Sequence, residues 1–186
     1  MARMSTELPR SVEHLAAATE AGKSFEYLMF FGADPGPELT RACLSNWWEQ
    51  SFELDGLEWP TVEHAMMYAK AKLFGDGLRM EQIRTAKTPK AAKALGRKVA
   101  PYGELAWGAH RYGAVTRACA AKFGQNADLR AFLQATEGKV LVEASPWDRI
   151  WGIGLRATDA AANDPRQWKG ANLLGFVLMD VRDRLK

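Results

Sequence analysis

The stretch TVEHAMMYAKAKLFGD, residues 61–76, predicts an amphipathic helix that carries two charged residues on its apolar side. A helix turns by about 100° per residue, so a step of seven residues returns to within about 20° of the start. Glu63 and Lys70 are seven residues apart and therefore share one face. A charge on a core-facing stripe is costly unless it is paired or lines a cavity. The apolar residues on that side are Met66, Met67, Leu73 and Phe74.

This charged pair has two interpretations. The residues are about 10 Å apart along the helix axis, and their long side chains could converge on a polar ligand between them. Alternatively, the helix dipole favours Glu63 in the first turn, while Lys70 extends its ammonium to solvent past an apolar stem. Periodicity alone does not separate a ligand site from a structural arrangement. His64 points about 100° away and is expected to be a half-buried helix residue, not a catalyst.

The surrounding segments predict one α+β domain. Pro60 and Thr61 open the helix and Gly75 closes it. Just before it, Asp55-Gly56 is the usual two-residue hairpin signal between alternating apolar residues. Several helices packed around a small sheet would leave the chemistry to the loops. The other expected helices are 11–20, 78–86, 89–99, 104–123, 127–136 and 171–185, and the expected strands are 25–31, the two hairpin arms and 139–143.

The composition excludes several classes of protein. The 186 residues are 47% hydrophobic and 25% charged, enough for one packed domain without covalent staples. Cys43 and Cys119 form no metal-type pair, the N-terminus lacks a signal-peptide core, and no apolar run approaches the roughly 20 residues that span a bilayer. A soluble protein in a reducing, cytoplasmic setting is therefore expected. The net charge of +3 permits an anionic ligand without demanding a long nucleic acid.

A second candidate site lies in a loop rich in tryptophan and glycine, ASPWDRIWGIGL, residues 144–155. Asp148 lies between two indoles, and two glycines would let the backbone approach a ligand closely. Such a loop suits a nucleobase or sugar stacked on a ring beside a carboxylate. Alternatively, the indoles fill the core and the glycines only permit a sharp turn. The indoles belong to Trp147 and Trp151, and the glycines are Gly152 and Gly154.

Four further residues suit ligand contacts. Trp107 and Arg111 lie four apart on one helix face, which offers a ring beside a guanidinium, although a solvated arginine over a core tryptophan is more common. Asn46 and Asn172 either bind ligand hydroxyls or cap local backbone. The sequence has no phosphate-binding loop, dinucleotide fingerprint, metal motif or nucleophile elbow. Neither a metal nor a cofactor is therefore expected.

Seven ordered segments together resemble the YbiA-like or NADAR family, proteins associated with NAD and ADP-ribose metabolism. The likeness covers about residues 25–185. The chain departs from some relatives by having Ala65 where an aromatic is common, and by a leader before Phe25. The segments are FFG (30–32), LSNWW (44–48), WPTVEHAMMYAKAKLFGD (59–76), the helix around 107–111, KFGQN (122–126), LVEASPWDRIWGIGL (141–155) and WKGANLLGFVLMDVR (168–182).

The resemblance implies a compact, mainly helical α+β fold for a YbiA-like domain at 25–186. Residues 1–24 are expected to form a leader that includes a short helix. It implies N-glycosidase activity, without a cofactor, on a bond between ribose C1 and an exocyclic amino nitrogen. The favoured activity is removal of ADP-ribose from guanine; the alternatives are hydrolysis of ribosylamino-pyrimidine intermediates of riboflavin synthesis and non-catalytic ADP-ribose binding. The implied partner is an ADP-ribosyl or ribosyl-phosphate substrate, including ADP-ribosylated DNA or RNA. No membrane and no obligate protein partner are implied.

The resemblance also assigns roles to individual residues. Glu63 is the expected acid or base nearest the anomeric carbon, and Asp148 is expected to orient ribose hydroxyls or the attacking water. Lys70 either holds a phosphate or developing negative charge, or forms a Schiff base with ring-opened ribose, which requires a lowered pKa. The predicted substrate-binding residues are Phe30, Gly32, Asn46, Trp107, Arg111, Trp151, Gly152, Ile153, Gly154 and Asn172.

Overall fold

The computed structural model describes residues 8–32 and 39–186, which divide into two compact units. The first unit joins the chain up to Phe31 to Thr136–Met179, and the second joins Gly32–Ala135 to Asp180–Lys186. Every helix formed by the described residues is too short or too polar to cross a membrane. The helices are α1 Val12–Glu20, α2 Val62–Leu73, α3 Gly77–Arg84, α4 Pro89–Gly96, α5 Glu104–Gln125, α6 Ala127–Gln134 and α7 Leu173–Arg184; the strands are β1 Tyr27–Phe30, β2 Phe52–Leu54, β3 Leu57–Trp59 and β4 Val140–Glu143.

Short 3-10 helices lie in three of the connections, and none was expected from the sequence. They span Arg41–Leu44, Ala160–Asn163 and Pro165–Gln167. Each contains only three or four residues, too few for the apolar periodicity that identifies an α-helix. The first leads directly into the segment that meets the start of α2.

The second unit is built around α2, which packs against α3, α4, α5 and β3. The sequence predicts an amphipathic helix, but every side chain of residues 61–67 is buried. The helix is enclosed because neighbours cover more than one of its faces, and periodicity cannot reveal that enclosure. The Glu63 carboxyl group therefore lies inside the unit.

The hairpin turn and the helix starts predicted for the second unit are confirmed. Asp55 and Gly56 both have positive φ, 55° and 72°, as the two-residue turn between β2 and β3 requires. The Thr61 hydroxyl accepts from the His64 amide and caps α2. Thr88 caps α4, and Pro89 occupies the first helical position.

The first unit contains a parallel pair of strands, β1 and β4, with Tyr27 opposite Val140 and Phe30 opposite Glu143. Among the described residues the strands therefore form two small sheets, because β2 and β3 pair only with one another. The mainly helical α+β class is confirmed. In the same unit α1 packs against the 3-10 helix Pro165–Gln167. The boundary after residue 24 stays a prediction.

Candidate functional site

Glu63 and Asn46 lie together at the start of α2. The Glu63 amide donates to the Asn46 carbonyl oxygen at 3.0 Å, and the Glu63 side chain is only 2% exposed. Asn46 is also buried, and its side-chain oxygen lies 4.0 Å from the Cys119 sulfur. Two of the residues predicted for the site are thus joined, and the segment before β2 determines where the first turn of α2 lies.

Lys122 of α5 holds that segment in place. Its side chain is fully buried, and Nζ donates to the Cys43 carbonyl at 2.7 Å and to the Ser45 carbonyl at 3.0 Å. Burial lowers the pKa of Lys122 from 10.5 to about 8. Lys122 is not among the residues predicted for the site from the sequence. The signal was available, because Lys122 continues the apolar stripe of Val115 and Cys119, just as Lys70 interrupts the stripe of α2.

The two cysteines flank the same buried ammonium and are free thiols. Burial raises the pKa of Cys43 to about 11 and that of Cys119 to about 12, although Lys122 opposes both shifts. A thiol is a nucleophile only as the thiolate. At neutral pH these cysteines therefore act as small core residues.

Lys70 occupies a different environment, on a partly exposed face of α2. Its Nζ donates to the Gly96 carbonyl at 2.9 Å and lies 4.2 Å from the centre of the Tyr102 ring. Burial lowers the pKa of Lys70, Glu104 opposes this shift, and Arg111 reinforces it. The lowered pKa is the condition that a Schiff-base role requires.

Glu104 links Lys70 to Arg111. Its carboxylate accepts from the Tyr102 hydroxyl and from an Arg111 guanidinium nitrogen, and these hydrogen bonds lower the pKa of Glu104. The Arg111 side chain is only 8% exposed, in contrast to the solvated arginine that is more common, and Trp107 one turn earlier is buried. Arg111 Nε has no hydrogen-bond partner among the described residues. Lys70, Tyr102, Glu104 and Arg111 are called the Lys70 cluster below.

His64 is more deeply buried than the sequence analysis expected, with 1% of its surface exposed. Its Nε2 lies 3.1 Å from the Ala86 carbonyl, which only accepts, so Nε2 carries the proton. Nδ1 then accepts from the Thr61 hydroxyl at 2.7 Å. Burial lowers the pKa of His64, which keeps the ring neutral and structural.

In the first unit, Asp148 organises the tryptophan-glycine loop. Its Oδ1 accepts from the amides of Ile150 and Trp151, both at 2.8 Å. The Asp148 amide in turn donates to the Ser145 hydroxyl. The carboxylate therefore shapes the backbone that presents Trp151, and its predicted contact with ribose or water stays a prediction.

The glycines of this loop are explained by packing within the unit. A side chain at Gly152 would lie 2.8 Å from the Glu143 carbonyl, and Gly154 has a positive φ of 68°. The following segment is bonded to the loop, since Ala171 donates to the Arg149 carbonyl and Leu174 to the Trp151 carbonyl. The turn of the second interpretation therefore accounts for Gly154, whereas Gly152 is required by close packing against the Glu143 carbonyl.

The other predicted residues of the first unit are buried. Asn172 donates to the Leu141 carbonyl and accepts from the Glu143 amide, both at 2.9 Å, so its amide caps β4 backbone. Phe30 and Ile153 are core residues, with 1% and 0% of their surfaces exposed. A substrate contact by any of these three side chains stays a prediction.

The predicted site residues are distributed over both units. Within the second unit the structure joins Asn46 to Glu63, and Lys70 to Arg111 through the Lys70 cluster. Among the described residues, no group of three or more His, Cys, Asp or Glu side chains could hold a metal ion. The second unit carries Gly32, Asn46, Glu63, Lys70, Trp107 and Arg111; the first carries Phe30, Asp148, Trp151, Gly152, Ile153, Gly154 and Asn172.

Comparisons with known proteins agree with one another. The NADAR domain model matches residues 30–186. The N-glycosidase R617 of Acanthamoeba polyphaga mimivirus is 38% identical over 163 residues, covering 85% of this chain and 95% of that protein. The N-glycosidase YbiA of Escherichia coli strain K12 is 35% identical over 141 residues, covering 76% of this chain and 79% of YbiA.

A solved structure supports the same assignment. The NMR structure of Escherichia coli YbiA superposes with a TM-score of 0.70 at 28% identity, covering 96% of this chain and 93% of that one. The resemblance inferred from seven ordered segments is thus confirmed. The chain belongs to the NADAR domain family, and it is an enzyme of the N-glycosidase class, a hydrolase that acts on N-glycosyl bonds.

Proposed function

We propose that this enzyme removes ADP-ribose from ADP-ribosylated guanine, in nucleic acid or nucleotides, by hydrolysing the bond between ribose C1 and the exocyclic amino nitrogen. The observation that supports this proposal best is the Lys70 cluster, where two cations and a partly exposed aromatic ring meet. Phosphate oxygens suit such cations, and a base suits the ring. The R617 and YbiA relatives are named as N-glycosidases.

Arg111 is suited to bind a phosphate of this substrate. One of its nitrogens is held by Glu104, and its Nε has no hydrogen-bond partner among the described residues. A buried donor without a partner costs about 1–3 kcal/mol, which a phosphate oxygen would recover on binding. Tyr102, 46% exposed, offers its ring beside the Lys70 ammonium.

Glu63 is the proposed proton donor to the leaving nitrogen. As the C1–N bond breaks, the electron pair moves to nitrogen and positive charge develops on the ribose. Glu63 then transfers a proton to that nitrogen, water adds to C1, and the proton lost by the water restores the carboxylic acid. The Glu63 side chain is enclosed, with 2% of its surface exposed, and this supports the role because bulk water is kept away from the proton transfer.

Lys70 has two proposed roles. In the first, its ammonium neutralises phosphate or developing negative charge. In the second, its neutral amine adds to C1 of ring-opened ribose and the guanine amine leaves; water then hydrolyses the Schiff base to free the sugar and the lysine. The lowered pKa of Lys70 supports the second role.

Asp148 is the second proposed carboxylate. Its Oδ1 is engaged by the amides of Ile150 and Trp151, so its side chain has a defined orientation. Such a carboxylate suits the orientation of ribose hydroxyls or of the attacking water. Trp151 is the proposed stacking ring of the same loop.

Product analysis tests the substrate. The enzyme is incubated separately with ADP-ribosylated guanosine and with a phosphorylated ribosylamino-pyrimidine, and the release of ADP-ribose or ribose phosphate is followed by chromatography. Release from the guanosine compound is the expected result. Preferential release from the pyrimidine would overturn the guanine assignment, and binding without release in a long incubation would indicate a reader instead of an enzyme.

The Glu63→Gln variant tests the acid, with Glu81→Gln as the matched control because Glu81 is an exposed carboxylate of α3 in the same unit. Loss of a proton donor should lower kcat by about 10²- to 10⁴-fold while ligand binding stays measurable. Glu81→Gln should keep wild-type kcat. Near-normal turnover by Glu63→Gln would remove Glu63 from the mechanism.

Borohydride reduction distinguishes the two roles of Lys70. A Schiff base reduced during turnover leaves a stable adduct on Lys70, which peptide mass spectrometry locates. The exposed Lys72 of the same helix is the internal control and should stay unmodified. Turnover without an adduct on Lys70 would favour the electrostatic role.

A further inference from the structure

Trp147 exposes far more of its side chain than its neighbour in the same loop. It is 80% exposed, whereas Trp151 is 9% exposed. The backbone around it is held by Ser145 and by Asp148, whose Oδ1 binds two loop amides. An indole presented on an ordered loop keeps a large apolar area in water, and stacking against another ring would remove that area from water.

Three exposed cations follow Trp147 in the same unit. Arg149, Arg156 and Lys169 form no ion pair with any described residue. Arg149 and Lys169 lie side by side, because a side chain at Gly154 would meet Lys169 Cβ at 3.0 Å and Arg149 Cγ at 3.3 Å.

Two acidic residues of the same unit, Asp159 and Asp164, accept hydrogen bonds from other groups. Asp159 Oδ2 accepts from the Arg156 amide at 2.8 Å. Asp164 accepts from two nitrogens of the Arg166 side chain, which lower the pKa of Asp164 below its ordinary range. No acidic side chain of the described residues lies within ion-pair distance of the three exposed cations, so their charges are available to an anionic partner.

We propose that Trp147, Arg149, Arg156 and Lys169, called the Trp147 surface below, bind single-stranded nucleic acid. Exposed bases stack on Trp147, and the cations contact successive phosphates. A duplex does not offer its base faces to a single ring, which is why the surface selects a single strand. The evidence for the surface is the geometry of the first unit. Its role, the delivery of modified guanine within a strand, rests on the proposed function.

Fluorescence anisotropy with an unmodified, dye-labelled 12-nucleotide DNA strand tests the proposal, because no ADP-ribose is needed. Trp147→Ala should weaken binding by about tenfold or more, and Trp147→Phe should retain most of the affinity. Leu105→Ala is the matched control, since Leu105 is 91% exposed in the second unit. Equal weakening by Leu105→Ala, or wild-type affinity of Trp147→Ala, would overturn the stacking role.

The salt dependence tests the cations. Replacing Arg149, Arg156 and Lys169 together by alanine should reduce the slope of log affinity against log salt by about 2, the value for three phosphates of a single strand. The charge-matched control replaces three exposed lysines of the second unit and should leave the slope unchanged. An equal loss in the control would contradict a local surface. The control lysines are Lys72, Lys87 and Lys90.

Two outcomes separate this inference from the proposed function. If the strand binds as described but ADP-ribose is never released from modified guanine, the surface stands and the proposed function fails. If ADP-ribose is released but the wild-type protein does not bind the strand at 50 mM salt, or binds a duplex equally well, the surface is wrong. Thermal melting of each variant confirms that it is folded.

Discussion

Lys70 and Lys122 are two buried or partly buried lysines of the second unit that differ in what surrounds the ammonium. Lys122 is enclosed, and its ammonium contacts the backbone carbonyls of Cys43 and Ser45. Lys70 has one carbonyl partner, Gly96, and otherwise faces a ring and the charged groups of the Lys70 cluster. Burial lowers the pKa of both.

This difference in surroundings indicates a structural role for Lys122 and is compatible with the catalytic role proposed for Lys70. The hydrogen-bond acceptors of Lys122 are backbone carbonyls, so its ammonium holds residues 43–46, called the Asn46 segment below, against the start of α2. Apart from the Gly96 carbonyl, the neighbours of the Lys70 ammonium are side chains that a substrate is able to rearrange. A lowered pKa is therefore a necessary sign of a reactive lysine but not a sufficient one.

The largest expected effect is on activity. Lys70→Met should lower kcat/KM by about 10²- to 10³-fold, because it removes the group that acts either as a charge-neutralising ammonium or as a nucleophilic amine. Lys72→Met, two residues along α2 and exposed, should leave kcat/KM within about twofold. Steady-state kinetics on the modified guanosine measures both. Equal losses in the two variants would show that Lys70 has no special role.

Lys122→Met should chiefly affect stability. It leaves the Cys43 carbonyl without the lysine donor, whereas the Ser45 carbonyl keeps the Trp48 amide, and the expected loss in the free energy of unfolding is about 2 kcal/mol. Urea denaturation measures this loss. A change within about 0.5 kcal/mol, as expected for Lys72→Met, would show that the buried ammonium does not anchor the Asn46 segment.

The pH dependence sharpens the assignment of Lys122. Between pH 8 and 10.5 the unfolded chain keeps a proton on Lys122 that the folded chain has released. The free energy of unfolding should therefore rise with pH in this window for the wild type relative to Lys122→Met, by at most about 1.4 kcal/mol per pH unit. Denaturation at a series of pH values measures the difference. A difference that does not change with pH would place the pKa outside the window.

The smallest effect is expected for Tyr102→Phe. The ring over Lys70 remains, and only the hydroxyl bond to the exposed Glu104 is lost, so KM should rise by about two- to threefold without a change in stability. Tyr102→Ala removes the ring as well and should raise KM further. Identical KM values for the two variants would show that the ring contributes nothing to binding.

Local features were predictable because they depend on neighbours a few residues away. The positive φ angles of Asp55 and Gly56 and the caps at Thr61 and Thr88 follow from residue type and short spacing. The charged stripe of α2 was visible for the same reason. The ordered segments were sufficient to identify the family that the comparisons confirm.

The Lys70 cluster was only half predictable. The pairing of Trp107 with Arg111 follows from a four-residue step. Glu104 lies seven residues before Arg111 and shares its face, but spacing alone does not show that the two side chains bond. Tyr102 lies outside regular structure, so no periodicity places its ring against Lys70. Lys122 bonds to carbonyls 77 and 79 residues away, beyond the range of any sequence pattern.

The sequence by itself determined the helices, the hairpin turn, the family and the two charges on α2, since these depend on local hydrogen bonding and residue order. Only the tertiary structure decided which side chains are enclosed. It buries Trp151 and exposes Trp147, although both lie in one loop. The tertiary structure also places the side-chain amide of Asn172 in hydrogen bonds to the backbone of β4. Burial is the sum of contacts from segments far apart in the chain, and a single sequence does not state which segments those are.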